Sequence, residues 1–302
     1  MTKHNVFVCG ATGTQGGAVA RQLRAIGWEV RTTTRDANSP AAQALASIGV
    51  KVHAGPWSDT AAIESAMTGC DLFFLNLVPD MTNPNGEIQD AKNMLRIAKA
   101  AGVRHIVYNS GIHFPEQESS AYAFIQLLYQ AKAEIEKEVQ AAGFPHWTIP
   151  RPGFFMSNFL VPNVHMLYPG ATETGLFTMA FRPHTELPMI DPEDIGAFVV
   201  AAFQNPDKFH GQAVNLISQM VAVETAMETM RRATGRNIRA QYLTDAEIAE
   251  ATATNPLLAI QEVLRDAKGA AALDETWGIE TGTFEGYVER EKKAFEETYR
   301  SV

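Results

Sequence analysis

Three glycines, Gly10, Gly13 and Gly16, follow the apolar run Val6 to Cys9 in the segment HNVFVCGATGTQGG, residues 4–17. A glycine at a strand end permits a tight turn. A second lets backbone approach a ligand, and a third lets the next helix lie against the strand. Free N–H groups and the helix dipole favour an anion at that helix's first turn, so the spacing points to a pyrophosphate held at Gly13. The pattern is GxxGxxG, not the commoner GxGxxG. An acid at the end of the second strand, about 20 residues beyond such a turn, accepts from a ribose 2′-OH. Thr33 and Thr34 occupy that slot here, and Arg35 follows. A guanidinium pairs instead with a 2′-phosphate, which predicts NADP(H) preferred over NAD(H) as cofactor. The alternatives are a solvated arginine or one diverted to Asp36.

Regular elements must hold these groups. The spacing predicts a helix over 15–26, with Val19, Leu23 and Ile26 on one face, then a strand over 29–34. The alternation continues with helix 40–48, strand 50–54, helix 59–68, strand 71–78, helix 86–101, strand 104–109, helix 121–142 and strand 146–150. LFFLNLV and RHIVYNS are nearly continuous apolar runs, as in a parallel sheet covered on both faces. Six strands in this rhythm predict an α/β fold, a Rossmann-type doubly wound parallel sheet with its ligand at the carboxyl ends of the strands. After Pro152 the rhythm breaks, and it resumes with helix 192–204 and strand 213–217. The expected organisation is a dinucleotide-binding domain over 1–151 to which 191–217 returns. A smaller, interleaved C-terminal substrate-side domain, mostly helical, would cover 152–190 and 218–302. In the segment 283–299, Phe284, Tyr287, Val288, Phe295 and Tyr299 form an apolar stripe that reads as packing.

The 302 residues are 46% hydrophobic and 20% charged, ordinary for a globular enzyme, and the net charge of −9 argues against phosphate-driven nucleic-acid binding. No apolar stretch approaches the ~20 residues of a membrane span, and the polar start Met1–Asn5 is too short for a signal peptide, so a cytoplasmic protein is expected. Cys9 and Cys70 fall at opposite ends of the predicted sheet, beyond the ~7 Å reach of a disulfide. The eight histidines and two cysteines show no metal-ligand spacing.

Five segments in order carry a resemblance: GATGTQGGAV (10–19), RTTTRD (31–36), TIPRPGFFMSNF (148–159), DPEDIGAFVVAAFQNP (191–206) and GQAVNLIS (211–218). They resemble hallmarks of the NmrA-like branch of the atypical short-chain dehydrogenase/reductases, and the match runs along almost the whole chain. The resemblance implies that Thr12, Thr14, Gln15 and Asn76 join the glycines around the cofactor, with Pro152 and Gly153 at the carboxamide end of the nicotinamide. It also implies that Phe154, Phe155 and Asn158 border a substrate pocket; without it, the two phenylalanines read as core. HAGPWSD departs from the pattern, with Pro56 where relatives often place Asp, which weakens any assignment of an adenine-recognising carboxylate.

Lys132 matches the family's lysine, which holds the nicotinamide ribose and relays a proton; the plain alternative is a surface lysine paired with Glu136. Ordinary short-chain reductases carry their tyrosine four residues earlier. Leu128 stands there, and Tyr129, three residues before Lys132, is in a different register for a proton donor. Ser110 occupies the place of the hydroxyl that orients a carbonyl, unless it is only a turn serine before Gly111. His113 could act as a general acid or merely line a loop, and Tyr122 stands the same way. Two functions remain. One is an NADPH-dependent oxidoreductase delivering hydride to a small carbonyl, quinone, imine or activated alkene between the domains. The other is a non-catalytic redox sensor or co-regulator acting through a protein partner. Leu128 favours the second, and the aromatic segment at Phe154 the first.

Overall fold

The computed structural model describes residues 3–79, 83, 85–112, 120–266 and 270–302. Strand and helix alternate through β1 (Asn5–Val8), α1 (Thr14–Ala25), β2 (Glu29–Thr34), α2 (Pro40–Ser47), β3 (Lys51–Ala54) and α3 (Thr60–Met67). They continue through β4 (Leu72–Leu75), α4 (Gly86–Ala101), β5 (His105–Tyr108), α5 (Ser120–Ala141) and β6 (His146–Pro152). Short elements follow: β7 (Phe154–Phe155), α6 (Asn163–Leu167), α7 (Ala171–Thr174), β8 (Leu176–Met179) and β9 (Glu186–Ile190). Next come α8 (Pro192–Gln204), α9 (Pro206–Phe209), β10 (Gln212–Leu216), β11 (Gln219–Ala222), α10 (Val223–Thr234) and β12 (Arg239–Tyr242). The chain closes with α11 (Asp245–Thr252), α12 (Leu258–Asp266), α13 (Phe284–Arg290) and α14 (Lys292–Thr298).

The chain divides into two compact units. One comprises Met1–Gly111, Leu128–Pro152 and Pro192–Asn215; the other comprises Ile112–Leu127, Gly153–Asp191 and Leu216–Val302. A seven-stranded sheet in the order β10-β6-β5-β4-β1-β2-β3 organises the first unit. The strands from β3 through β6 pair in parallel, in the doubly wound order expected of a Rossmann-type fold. Val6, Phe7, Val8, Phe73, Phe74, Ile106 and Val107 are fully buried, which is why these strands are apolar throughout. β4 is shorter than the run 71–78 suggests. Its ladder with β1 ends at Phe74 opposite Val8, just before the chain turns away at Gly10, so Asn76 and Leu77 face the carboxyl edge unladdered.

Helix ends follow local chemistry. Ser39 and Asp59 cap α2 and α3 by accepting from the amides of Ala42 and Ala62. The returning helix α8 lies close on α1 because residue 196 is glycine; a Cβ there would stand 2.6 Å from the Gln22 amide and 3.1 Å from the Ala18 carbonyl oxygen. Gln22 donates to the Glu193 backbone carbonyl at 2.8 Å, and Arg21 pairs with the Glu193 carboxylate. Both cysteines are free and buried; burial pushes the Cys9 thiol up to about 12 and the Cys70 thiol up to about 11.

The second unit holds two small sheets, β11-β9-β7 and β12-β8, around an aromatic core. All five residues of the stripe over 283–299 are buried in it, and the Tyr299 hydroxyl donates to the Phe159 carbonyl. The segment is two helices, α13 and α14, meeting at Glu291. No helix among the described residues is long and apolar enough to cross a membrane.

Candidate cofactor site

At the carboxyl edge of the large sheet, β1 runs into Gly10, whose φ of +69° is a conformation only glycine adopts readily. The Gly10 carbonyl accepts from the Gly13 amide at 2.9 Å, closing the turn. A Cβ at Gly16 would overlap the Gly10 carbonyl, so helix and turn can pack only with glycine there. Gly13 differs. Its backbone is extended, with φ −92° and ψ 177°, and a Cβ would meet only the Gly10 oxygen, at 3.3 Å. Gly13 is the N-cap of α1 and supplies no side-chain cap, which leaves the helix N-terminus open to an anion.

A cleft of about 520 Å³ opens beside this turn, lined among others by Thr12, Thr34, Arg35, Trp57, Leu77 and Glu87. Arg35 is exposed there and has no ion-pair partner among the described residues; the Asp36 carboxylate accepts from the Asn38 amide at 2.8 Å and is not spent on it. Asn109 donates to the Gln15 side-chain oxygen and, at 3.2 Å, to that of Asn76, tying the segments after β1, β4 and β5 together. Thr33 Oγ1, Glu87 Oε2 and Asn109 Oδ1 are buried at this same edge without a hydrogen-bond partner, and the buried Ser110 hydroxyl stands beside the Tyr108 phenol. An unsatisfied buried polar atom costs about 1–3 kcal/mol, so their gathering at one edge marks a place prepared for a ligand.

Lys132, 11% exposed, donates to Glu87 Oε1 at 2.5 Å and to the Leu77 carbonyl at 2.9 Å, which leaves one ammonium hydrogen for a ligand. The partner expected for it, Glu136, instead forms a two-pronged pair with Arg151 at 2.9 and 2.6 Å. The alternative of a surface lysine paired one turn along its own helix is therefore replaced by a buried pair between α5 and α4. The Tyr129 ring comes within 3.7 Å of where a Gly111 Cβ would stand, and burial pushes its phenol well above the ordinary value. His113 lies outside the described residues, as does the side chain of Tyr122.

The remaining predicted residues fall as follows. Thr14 is exposed on the first turn of α1. Pro152 closes β6. The Gly153 amide donates to the Leu216 carbonyl at 3.1 Å, and a Cβ there would overlap the Pro188 carbonyl, so this glycine serves the packing of β7 on β9. Phe154, 8% exposed, packs on Phe159 and Phe181 within the core of the second unit, while Phe155 and Asn158 are half-buried. Three residues of this edge escape a reading of the sequence. Trp57 announces itself only as an aromatic after the anomalous Pro56. Glu87 looks like an ordinary first-turn acid of a helix, and Asn109 like a turn residue.

Comparison with known proteins bears on the family and the fold. A family model described as the NmrA-like family matches residues 2–294. The NmrA-like family domain-containing oxidoreductase himF of Aspergillus japonicus is 31% identical over 267 residues, which cover 84% of this chain and 80% of himF. A (4-alkanoyl-5-oxo-2,5-dihydrofuran-3-yl)methyl phosphate reductase of Streptomyces griseus is 31% identical over 240 residues, which cover 79% of this chain and 77% of that one. Among solved structures, NmrA, a negative transcriptional regulator, in complex with NADP shares the fold at a TM-score of 0.76 and 19% identity over 98% of both chains. NmrA in complex with NAD does so at 0.71 and 21%, over 100% of this chain and 96% of that one. With the family model spanning nearly every residue and himF matching four-fifths of its own length, the chain belongs to the NmrA-like family.

Proposed function

We propose that this chain is an NADPH-dependent reductase of a small organic substrate bearing a carbonyl, quinone, imine or activated alkene, and that it prefers NADP(H) to NAD(H). The observation that carries the reading is the carboxyl-edge cleft, which places Arg35, without an ion-pair partner among the described residues, with the unsatisfied Thr33 Oγ1 and Glu87 Oε2 beside the Gly10 turn that leads into the uncapped N-terminus of α1. The oxidoreductase and reductase relatives support hydride chemistry, and the NADP and NAD complexes of NmrA support a nicotinamide dinucleotide. When bound, the reduced cofactor supplies the hydride. The α1 amides and the Gly13 backbone hold a pyrophosphate, Arg35 pairs with the 2′-phosphate, and Trp57 walls the cleft beside Gly10. The third hydrogen of the Lys132 ammonium is available to a ribose hydroxyl, while Glu87 and the Leu77 carbonyl fix its direction. The Ser110 hydroxyl, buried just past the end of β5 beside the Tyr108 phenol, is the group that orients a substrate oxygen.

A second reading, a redox sensor acting through a protein partner, is favoured by one observation: Leu128 fills the register of the usual tyrosine, and the raised phenol of Tyr129 makes it a poor acid. Single-turnover oxidation of protein-bound NADPH across quinones, enals, ketones and cyclic imines separates the two. The reductase reading expects oxidation by one of these classes, with Lys132→Ala slowed about 10²-fold or more and Tyr129→Phe much less. Failure of every class to oxidise the cofactor would favour the sensor.

A further inference from the structure

A second cleft, of about 470 Å³, lies at the opposite, amino edge of the same sheet, where Leu72, His105 and His146 begin β4, β5 and β6. Trp28, Leu72 and Phe203 give it apolar walls, and Arg104 stands with the two histidines among its lining residues. The protonation of His105, 2% exposed, follows from its neighbours. The Thr148 hydroxyl gives its one hydrogen to the Phe209 carbonyl at 2.9 Å, so toward His105 Nε2, 3.1 Å away, it can only accept. His105 therefore carries its proton on Nε2, and Nδ1 is a bare acceptor, buried and without a partner. His146 Nδ1 is likewise buried without a hydrogen-bond partner. Among the described residues of this unit, the other buried side-chain atoms lacking a partner lie at the cofactor edge, so these two imidazoles mark a separate place.

Charge supplies the second half of the recognition. Arg104 is exposed and makes no ion pair among the described residues. The Asp71 carboxylate, which also lines the cleft, is bonded to His4 and accepts from the Asn5 amide at 2.8 Å, and it makes no ion pair with Arg104. No three of His, Cys, Asp and Glu among the described residues converge as metal ligands do, so the acceptor calls for an organic donor rather than a cation. We propose that this cleft binds a planar aromatic acid that also carries a ring hydroxyl or N–H. Its anionic group rests on Arg104, its ring lies against Phe203, and its donor reaches His105 Nδ1. Phe203 already meets the His105 ring edge-on at 5.2 Å, which holds the imidazole for that contact. The site is independent of the reductase reading.

Calorimetric titration of the full chain with 4-hydroxybenzoate, with and without saturating NADPH, tests the proposal. The expected result is saturable binding at one site, unchanged by NADPH and weakened about tenfold or more by Arg104→Ala, a change at an exposed side chain. Benzoate, which lacks the donor, should bind about tenfold more weakly than 4-hydroxybenzoate. The proposal is overturned by the absence of saturable binding up to roughly millimolar ligand, by undiminished affinity in Arg104→Ala, or by equal affinity for benzoate. Displacement of the probe by NADPH would overturn it too, by assigning the probe to the cofactor cleft.

Discussion

A charge-assisted contact between a guanidinium and a phosphate contributes about 1.5–3 kcal/mol, and Arg35 is placed to make one because Asp36 is occupied by the Asn38 amide. Arg35→Ala should weaken NADPH about 10- to 100-fold and leave NADH almost unchanged, measured by calorimetry. Equal losses for the two cofactors would contradict the assignment. Glu87 and Lys132 pose a different residue-scale question, since their pair is buried at 1% and 11% side-chain exposure. Glu87→Ala strands the ammonium and should cost about 3–5 kcal/mol in urea unfolding, whereas Glu87→Gln combined with Lys132→Met should recover much of it. Arg35 can be picked out from the sequence because its proposed role depends on the strand end it adjoins. The Glu87 pairing was not, because 45 residues separate the partners and neither position breaks a local pattern.

The turn from β1 to α1 separates two uses of glycine that look alike in sequence. Gly13 has extended backbone, and a Cβ there would meet only the Gly10 oxygen, at 3.3 Å, a contact that a shift of a few tenths of an ångström relieves, so Gly13→Val should leave the fold intact while filling the phosphate position. Gly16→Ala forces a methyl into the Gly10 carbonyl and should destabilise the protein by about 1–3 kcal/mol or more, read from the urea midpoint. At the start of β5, burial together with His146 and His210 pulls the His105 imidazole down to about 3. The folded state then binds fewer protons than the unfolded chain between that value and an ordinary value of about 6.5, so stability falls as the pH drops through this window. From pH 7 to pH 5 the loss from this group is about 2 kcal/mol. His105→Gln should flatten that part of the stability profile, and an unchanged slope would contradict it. Strands and helices of this region were legible because apolar runs and helical periodicity are local. The early end of β4 was not, because a strand stops where its neighbour's chain turns away.

At the scale of the molecule, the break in rhythm after Pro152 and its resumption near residue 192 predict an interleaved second domain; the first compact unit of the structure includes Pro192–Asn215. The membership of residues 120–127, the first turns of α5, in the second unit is invisible beforehand, because periodicity identifies the residues of one helix without saying which unit each turn joins. The same limit explains Phe154. Its motif leaves core and pocket wall both open, and the fold places the ring in an aromatic core. A ligand that binds only the folded chain stabilises it by about 2.7 kcal/mol at a hundred times its dissociation constant, so NADPH should raise the thermal midpoint of the wild type and leave Gly13→Val unmoved. The most direct test of the cofactor site is calorimetric titration of the wild type and Gly13→Val with NADPH, each shown by circular dichroism to be folded. The expected result is one-site binding to the wild type and none to the variant; equal affinity in a natively folded Gly13→Val would contradict the assignment of this turn as the phosphate site.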